Sequence, residues 1–107
     1  MLYDLIICGG GASGLVAAIT AAEMGDKVLI LEAGDRIGRK IAASGNGRCN
    51  LMNTNAPVYY GDTPFANSVL KEIDFKRQIF FWTSHGLSVR ADESGRVYPS
   101  SDLSSSV

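Results

Sequence analysis

Apolar and polar positions change their period several times along the chain, and each change marks an element. Tyr3 to Cys8 is a short, β-favouring apolar run ended by a glycine cluster, the pattern of a parallel strand covered on both faces. Ser13 to Met24 is mostly Ala, Leu, Val and Ile and predicts a helix, with Gly25 at the left-handed position that commonly stops one. Lys27 to Glu32 encloses Val28-Leu29-Ile30-Leu31, long enough for a second strand and too short for an independent helix. Strand, tight turn, helix and strand within about thirty residues make a βαβ unit with a parallel sheet, expected to be right-handed. Leu5 to Ala22 carries no charge and approaches the ~20 residues of a membrane span, but glycines at 9, 10, 11 and 14 divide it. A buried strand, turn and helix explain it better, and no membrane association is expected.

Further along, Ala33 to Asn55 has glycines at 34, 38, 45 and 47 and basic residues at 36, 39, 40 and 48. A loop this long inside a compact domain is uncommon unless it binds something or is disordered, and binding is the favoured reading. Thr63-Pro64 suits a cap followed by a first-turn proline, opening a helix to about Glu72. Asp74 can cap another, in which Phe75, Ile79 and Trp82 share one apolar face expected in the core and Gly86 marks the end. Leu87 to Arg90 and Arg96 to Tyr98 read as two strands of a hairpin turning at Asp92-Glu93-Ser94-Gly95. Ser100 to Val107 has no stop signal of its own, so the chain reads as cut and the domain as incomplete.

Composition narrows the class without naming it. At 107 residues, one domain at most is expected, and the length is short for an enzyme binding both a dinucleotide and a substrate. Net charge is -1 with no basic stripe, so nucleic acid is not an expected partner. Cys8 and Cys49 form no CxxC pair and no metal-ligand cluster, which predicts free thiols in a reducing cytoplasm and no metal. The start Met-Leu-Tyr-Asp lacks the basic region of a signal peptide.

The chemistry concentrates in Gly9-Gly10-Gly11-Ala12-Ser13-Gly14, a G-x-G-x-x-G match between a strand and a helix. Gly9 permits the tight turn, Gly11 lets a pyrophosphate approach the backbone, and Gly14 permits close packing of helix on strand. Ala12 and Ser13 belong to the helix start, whose N–H groups and positive dipole end face the phosphates. Glu32 closes the second strand near the ~20 positions beyond the motif where a ribose-binding acid is expected, with Ala33 next to it. A carboxylate there accepts from the ribose hydroxyls and repels a 2′-phosphate. These features alone do not separate FAD from NAD. Arg36 to Lys40 and Ser44 to Asn50 extend a basic, backbone-exposing surface that suits the longer ligand, FAD.

Through these residues the chain resembles the BaiN-like bacterial flavoproteins, NAD(P)/FAD-dependent oxidoreductases that include aminoacetone-oxidase-like relatives. The resemblance runs through Asp4-Leu5-Ile6-Ile7-Cys8, Leu31-Glu32-Ala33-Gly34, Gly38-Arg39-Lys40, Ser44-Gly45-Asn46-Gly47-Arg48-Cys49-Asn50 with Asn53, and Gly95-Arg96-Val97-Tyr98-Pro99. It implies that Arg39 and Lys40 lie along FAD. It further implies that the loop holding Ser44, Gly45, Gly47, Arg48, Cys49 and Asn50 approaches the pyrophosphate and flavin, that NAD(P)H is the reductant and that the substrate is a small molecule. Asn46 stands where the family more often has glycine, and Tyr98 where it more often has phenylalanine.

Among single residues, Cys8 is expected in the core of the first strand, and Cys49 to pack or lie exposed without a redox role. His85 is explained by the dipole at a helix end, Arg48 by phosphate pairing, and Arg96 by the hairpin. No catalytic acid or base is assigned. Two rival readings remain. An NAD-binding dehydrogenase would leave the loop from Arg36 to Asn50 without a purpose, and a truncated product would have no activity.

Overall fold

The computed structural model describes residues 1–55 and 59–107, which divide into two compact units, Met1–Ala43 and Ser44–Val107. In the first, β1 (Leu5–Cys8) and β2 (Val28–Leu31) pair in parallel, Leu5 opposite Val28 through Cys8 opposite Leu31. The backbone N–H of Gly9 extends the ladder to the Leu31 carbonyl at 2.7 Å. Between the strands runs α1 (Ala12–Glu23), packed against both, with Ala18 buried. Met24 caps α1 and Gly25 follows, as the apolar pattern predicts.

The expectation that the first strand is covered on both faces does not hold within this chain. Ile6 is 54% exposed and Leu31 50%, and Cys8 is exposed and not in the core. The apolar sequence is that of a strand inside a larger sheet, but one crossover helix shields only one face of two strands. A short helix, α2 (Arg39–Ala43), ends this unit.

The second unit is built on a three-stranded antiparallel sheet in which β5 (Arg96–Pro99) lies between β3 (Met52–Asn53) and β4 (Val89–Ala91). Arg90 faces Tyr98 in the expected hairpin, while Met52 faces Val97 on the other edge. A hairpin alone had been expected. The third strand comes from the predicted loop and is too short to show an alternating pattern. The central place of β5 buries Val97, Tyr98 and Pro99. At the hairpin turn Asp92 Oδ1 accepts from the N–H of Ser94 and of Arg96 at 2.9 and 3.0 Å, an Asx-type closure that puts Arg96 in the hairpin.

Two helices lie between β3 and β4: α3 (Thr63–Glu72) and α4 (Phe75–Ser84). The cap of α3 is Asp62, one residue earlier than expected, accepting from Phe65 N–H at 2.9 Å; Asp74 caps α4 through Arg77 N–H at 2.9 Å. The aromatic face of α4 is only partly covered, with Ile79 and Trp82 half-buried. No residue of α4 is buried, and Phe75 is 42% exposed, because α4 meets this unit's sheet chiefly at β4. Ser104–Ser106 forms a final 3-10 turn. Among the described residues no helix is long and apolar enough to cross a membrane.

Val97, 1% exposed at the sheet centre, carries the second unit's packing. Val97→Ala is expected to cost about 2 kcal/mol in urea unfolding. Phe80→Ala, at a side chain that is 72% exposed, is expected to stay within about 0.5 kcal/mol.

Candidate functional site

The turn between β1 and α1 divides its glycines by physical role. Gly9 has φ +107°, a backbone conformation that a side chain would strain. At Gly14 an added Cβ would lie 2.1 Å from the Gly9 carbonyl oxygen, so the start of α1 rests directly on the turn. At Gly11, by contrast, a Cβ would meet nothing within 4 Å. Gly11 is the N-cap of α1, in extended conformation, with no side chain capping the helix and no acid in its first turn. Ala12 and Ser13, both exposed, begin the helix there. The result is an open cradle at the positive end of a twelve-residue helix. It fits a diphosphate.

Glu32 stands beside this turn and is tied to it. Its Oε2 accepts from Gly10 N–H at 2.7 Å, and its Oε1 from Gly34 N–H at 2.8 Å. Those bonds, Gly34 first and then Gly10, hold the carboxyl below the ordinary glutamate range. A carboxylate has about four acceptor positions, so these backbone donors leave it able to accept from a further group. The Gly38 N–H donates to the Gly10 carbonyl at 2.7 Å, which brings the segment after Glu32 back onto the turn. Arg39 and Lys40 follow in α2 with exposed side chains, and Ala33 is exposed next to Glu32.

The loop from Ser44 to Asn50, in the second unit, has an unusual backbone. Gly45 and Asn46 are left-handed at φ 56°, Gly47 has φ 82°, and Cys49 has φ 58°. Asn46 adopts that conformation in the place where the family resemblance puts glycine, in keeping with asparagine's tolerance of it. At Gly45 a Cβ would stand 2.5 Å from Asn50 N. Bonds from Arg48 N–H to the Gly45 carbonyl (3.1 Å) and from Cys49 N–H to the Ser44 carbonyl (3.0 Å) close the turn. Cys49 is buried, as a packing thiol would be, and Asn50 is exposed.

Arg48 has protein partners that sequence reasoning did not name. Its Nε and Nη2 donate to Asp102 Oδ1 at 3.2 and 2.8 Å, and its guanidinium lies 3.9 Å from the centroid of the Tyr98 ring. Asp102 also accepts from Arg90, and these two arginines, Arg48 first, hold its carboxyl below the ordinary aspartate range. Asp102 sits in the serine-rich end, where no sequence pattern marks it. His85 caps α4, and its Nδ1 lies 2.6 Å from the Phe81 carbonyl, to which it donates.

Comparison with known proteins adds the following. A family model described as the HI0933-like protein Rossmann domain matches residues 3–107. A 3-dehydro-bile acid delta(4,6)-reductase from Clostridium scindens is 49% identical over 106 residues, covering 94% of this chain and 26% of that protein. A ribosomal RNA dihydrouridine synthase from Escherichia coli is 32% identical over 99 residues, covering 90% and 25%. A flavin-containing amine oxidase A from Equus caballus is 37% identical over 70 residues, covering 65% and 13%. The chain spans about a quarter of the length of the first two relatives. Because one is named for ribosomal RNA, the lack of a basic stripe in this chain is no argument against an RNA substrate for a longer protein containing it.

Two substitutions test the backbone reading. Asn46→Val is expected to destabilise by about 1–2 kcal/mol in chemical denaturation, while Asn46→Gly stays near the wild type. Gly14→Ala is expected to cost at least about 1–3 kcal/mol by forcing α1 off the turn.

Proposed function

This chain belongs to the HI0933-like Rossmann-domain family, and on that premise we propose that it holds the adenosine-diphosphate half of FAD for a flavin-dependent oxidoreductase. The observation that carries the reading is the open backbone cradle at Gly11 beside a carboxylate already fixed at Glu32. Gly9 sets the turn, Gly11, Ala12, Ser13 and Gly14 give the pyrophosphate a surface of backbone N–H groups, the helix dipole adds attraction, and Glu32 takes the ribose hydroxyls. Ala33 follows Glu32 at the edge of this pocket. Arg39, Lys40 and the loop residues Ser44, Gly45, Gly47, Cys49 and Asn50 are assigned to the cofactor on the family resemblance alone. Arg48, engaged with Asp102 and Tyr98, is assigned to holding its loop in shape instead of pairing directly with phosphate.

FAD, when bound, supplies the capacity to accept and donate hydride; the residues of this chain supply position and electrostatics. NAD(P)H is the proposed reductant and a small molecule the proposed substrate, both acting in a longer protein of which this is the nucleotide-binding part. The ribosomal RNA dihydrouridine synthase relative favours RNA as a second substrate reading. The two free thiols suit a reducing cytoplasm.

The test is the absorbance spectrum of the purified chain after incubation with FAD and removal of the excess. Wild type is expected to retain flavin, Glu32→Ala to bind it roughly ten-fold more weakly, and Gly11→Ala to fold equally well yet lose it, since the added methyl meets only the space the phosphates need. A natively folded wild-type chain that retains no flavin would overturn the reading for this chain.

A further inference from the structure

The G-x-G-x-x-G pattern fixes three glycines and leaves Gly10 open to any residue, yet Gly10 is buried in this chain. Its φ lies outside the left-handed range, so glycine is not required there for backbone conformation. Space requires it. An added Cβ would lie 2.6 Å from Ile37 Cγ2, 3.0 Å from Ile37 Cβ and 3.1 Å from Glu32 Oε2. The same residue is held at both ends of its polar complement: its N–H donates to Glu32 Oε2 at 2.7 Å, and its carbonyl accepts from Gly38 N–H at 2.7 Å.

We propose that Gly10 is a positioning residue, a latch that locks the Glu32 carboxylate and the Ile37-Gly38 segment onto the phosphate turn. With the latch closed, each carboxylate oxygen is held by a backbone donor, Gly10 on Oε2 and Gly34 on Oε1. The ribose acid is thereby oriented before any ligand arrives, and its orientation is set by the turn that receives the phosphates. A methyl group at position 10 displaces Ile37 and crowds Glu32 Oε2, so it loosens both contacts of the latch together. The consequence for ligand binding rests on the FAD reading above; the latch itself does not.

The experiment uses the full chain as wild type, Gly10→Ala, Ile37→Ala and the double variant, with two readouts. Amide hydrogen exchange followed by NMR reports the latch without ligand: Gly10→Ala is expected to speed exchange at Gly34 and Gly38 while leaving the β1–β2 ladder protected, and Ile37→Ala added to it is expected to restore part of that protection by removing Cγ2. Titration with FAD reports the consequence: roughly ten-fold weaker binding in Gly10→Ala, partly recovered in the double variant. Exchange at Gly34 and Gly38 unchanged in Gly10→Ala, or a double variant no better protected than the single one, would overturn the latch. If wild type binds no FAD while the exchange results follow expectation, the cofactor reading fails and the latch stands.

Discussion

Everything in the first unit follows from a contact that one methyl group would abolish, that of the start of α1 with the turn after β1. Because Gly14 has no side chain, the helix sits against the Gly9 carbonyl, and its first N–H groups look out over Gly11 instead of being lifted away. Close seating also brings the end of β2 level with the turn, which is why a carboxylate at position 32 reaches the Gly10 N–H across 22 positions of sequence. The helix dipole and the carboxylate are then neighbours of opposite sign, which on the proposed reading draws phosphate to the first and keeps it from the ribose end beside the second. A charge pattern of this kind distinguishes the two ends of one ligand by geometry, without any further side chain.

The second unit solves a different problem, how to keep a left-handed run of backbone in place. Four residues between Gly45 and Cys49 have positive φ, two of them with side chains, and such conformations persist only where surrounding structure over-determines them. Here the restraint is Arg48, gripped by Asp102 and lying over Tyr98, itself part of the buried central strand. Single exposed ion pairs contribute little, but one carboxylate shared by two arginines, with an aromatic ring beneath one of them, fixes a direction as well as a distance.

The sequence was most legible where one local cause suffices. The βαβ unit, its terminating Gly25, the cap at Asp74 and the turn at Asp92 each depend on a few adjacent residues, and each is present. Burial departs from the apolar pattern wherever it depends on what covers a face: Cys8, Phe75 and Phe80 are exposed, while Ile79 and Trp82 are only half-buried. The short elements α2 and β3 are below the length at which periodicity shows. Glu32 was legible as an acid near the motif; its backbone partners were not, since the pattern treats Gly10 as a free position. Asp102 was beyond reach, because its partner is 54 positions away and no motif links them.

That last separation governs the order of events as the chain is made. The β1–α1–β2 turn draws its contacts from neighbouring sequence and can form once about the first forty residues have left the ribosome. The loop beginning at Ser44 emerges immediately afterwards but stays without its clamp until Asp102 has been synthesised, and closing so long a loop carries the larger entropic cost. Nascent chains therefore pass through an interval in which the turn after β1 can form while the glycine-rich segment still lacks the clamp that holds its shape.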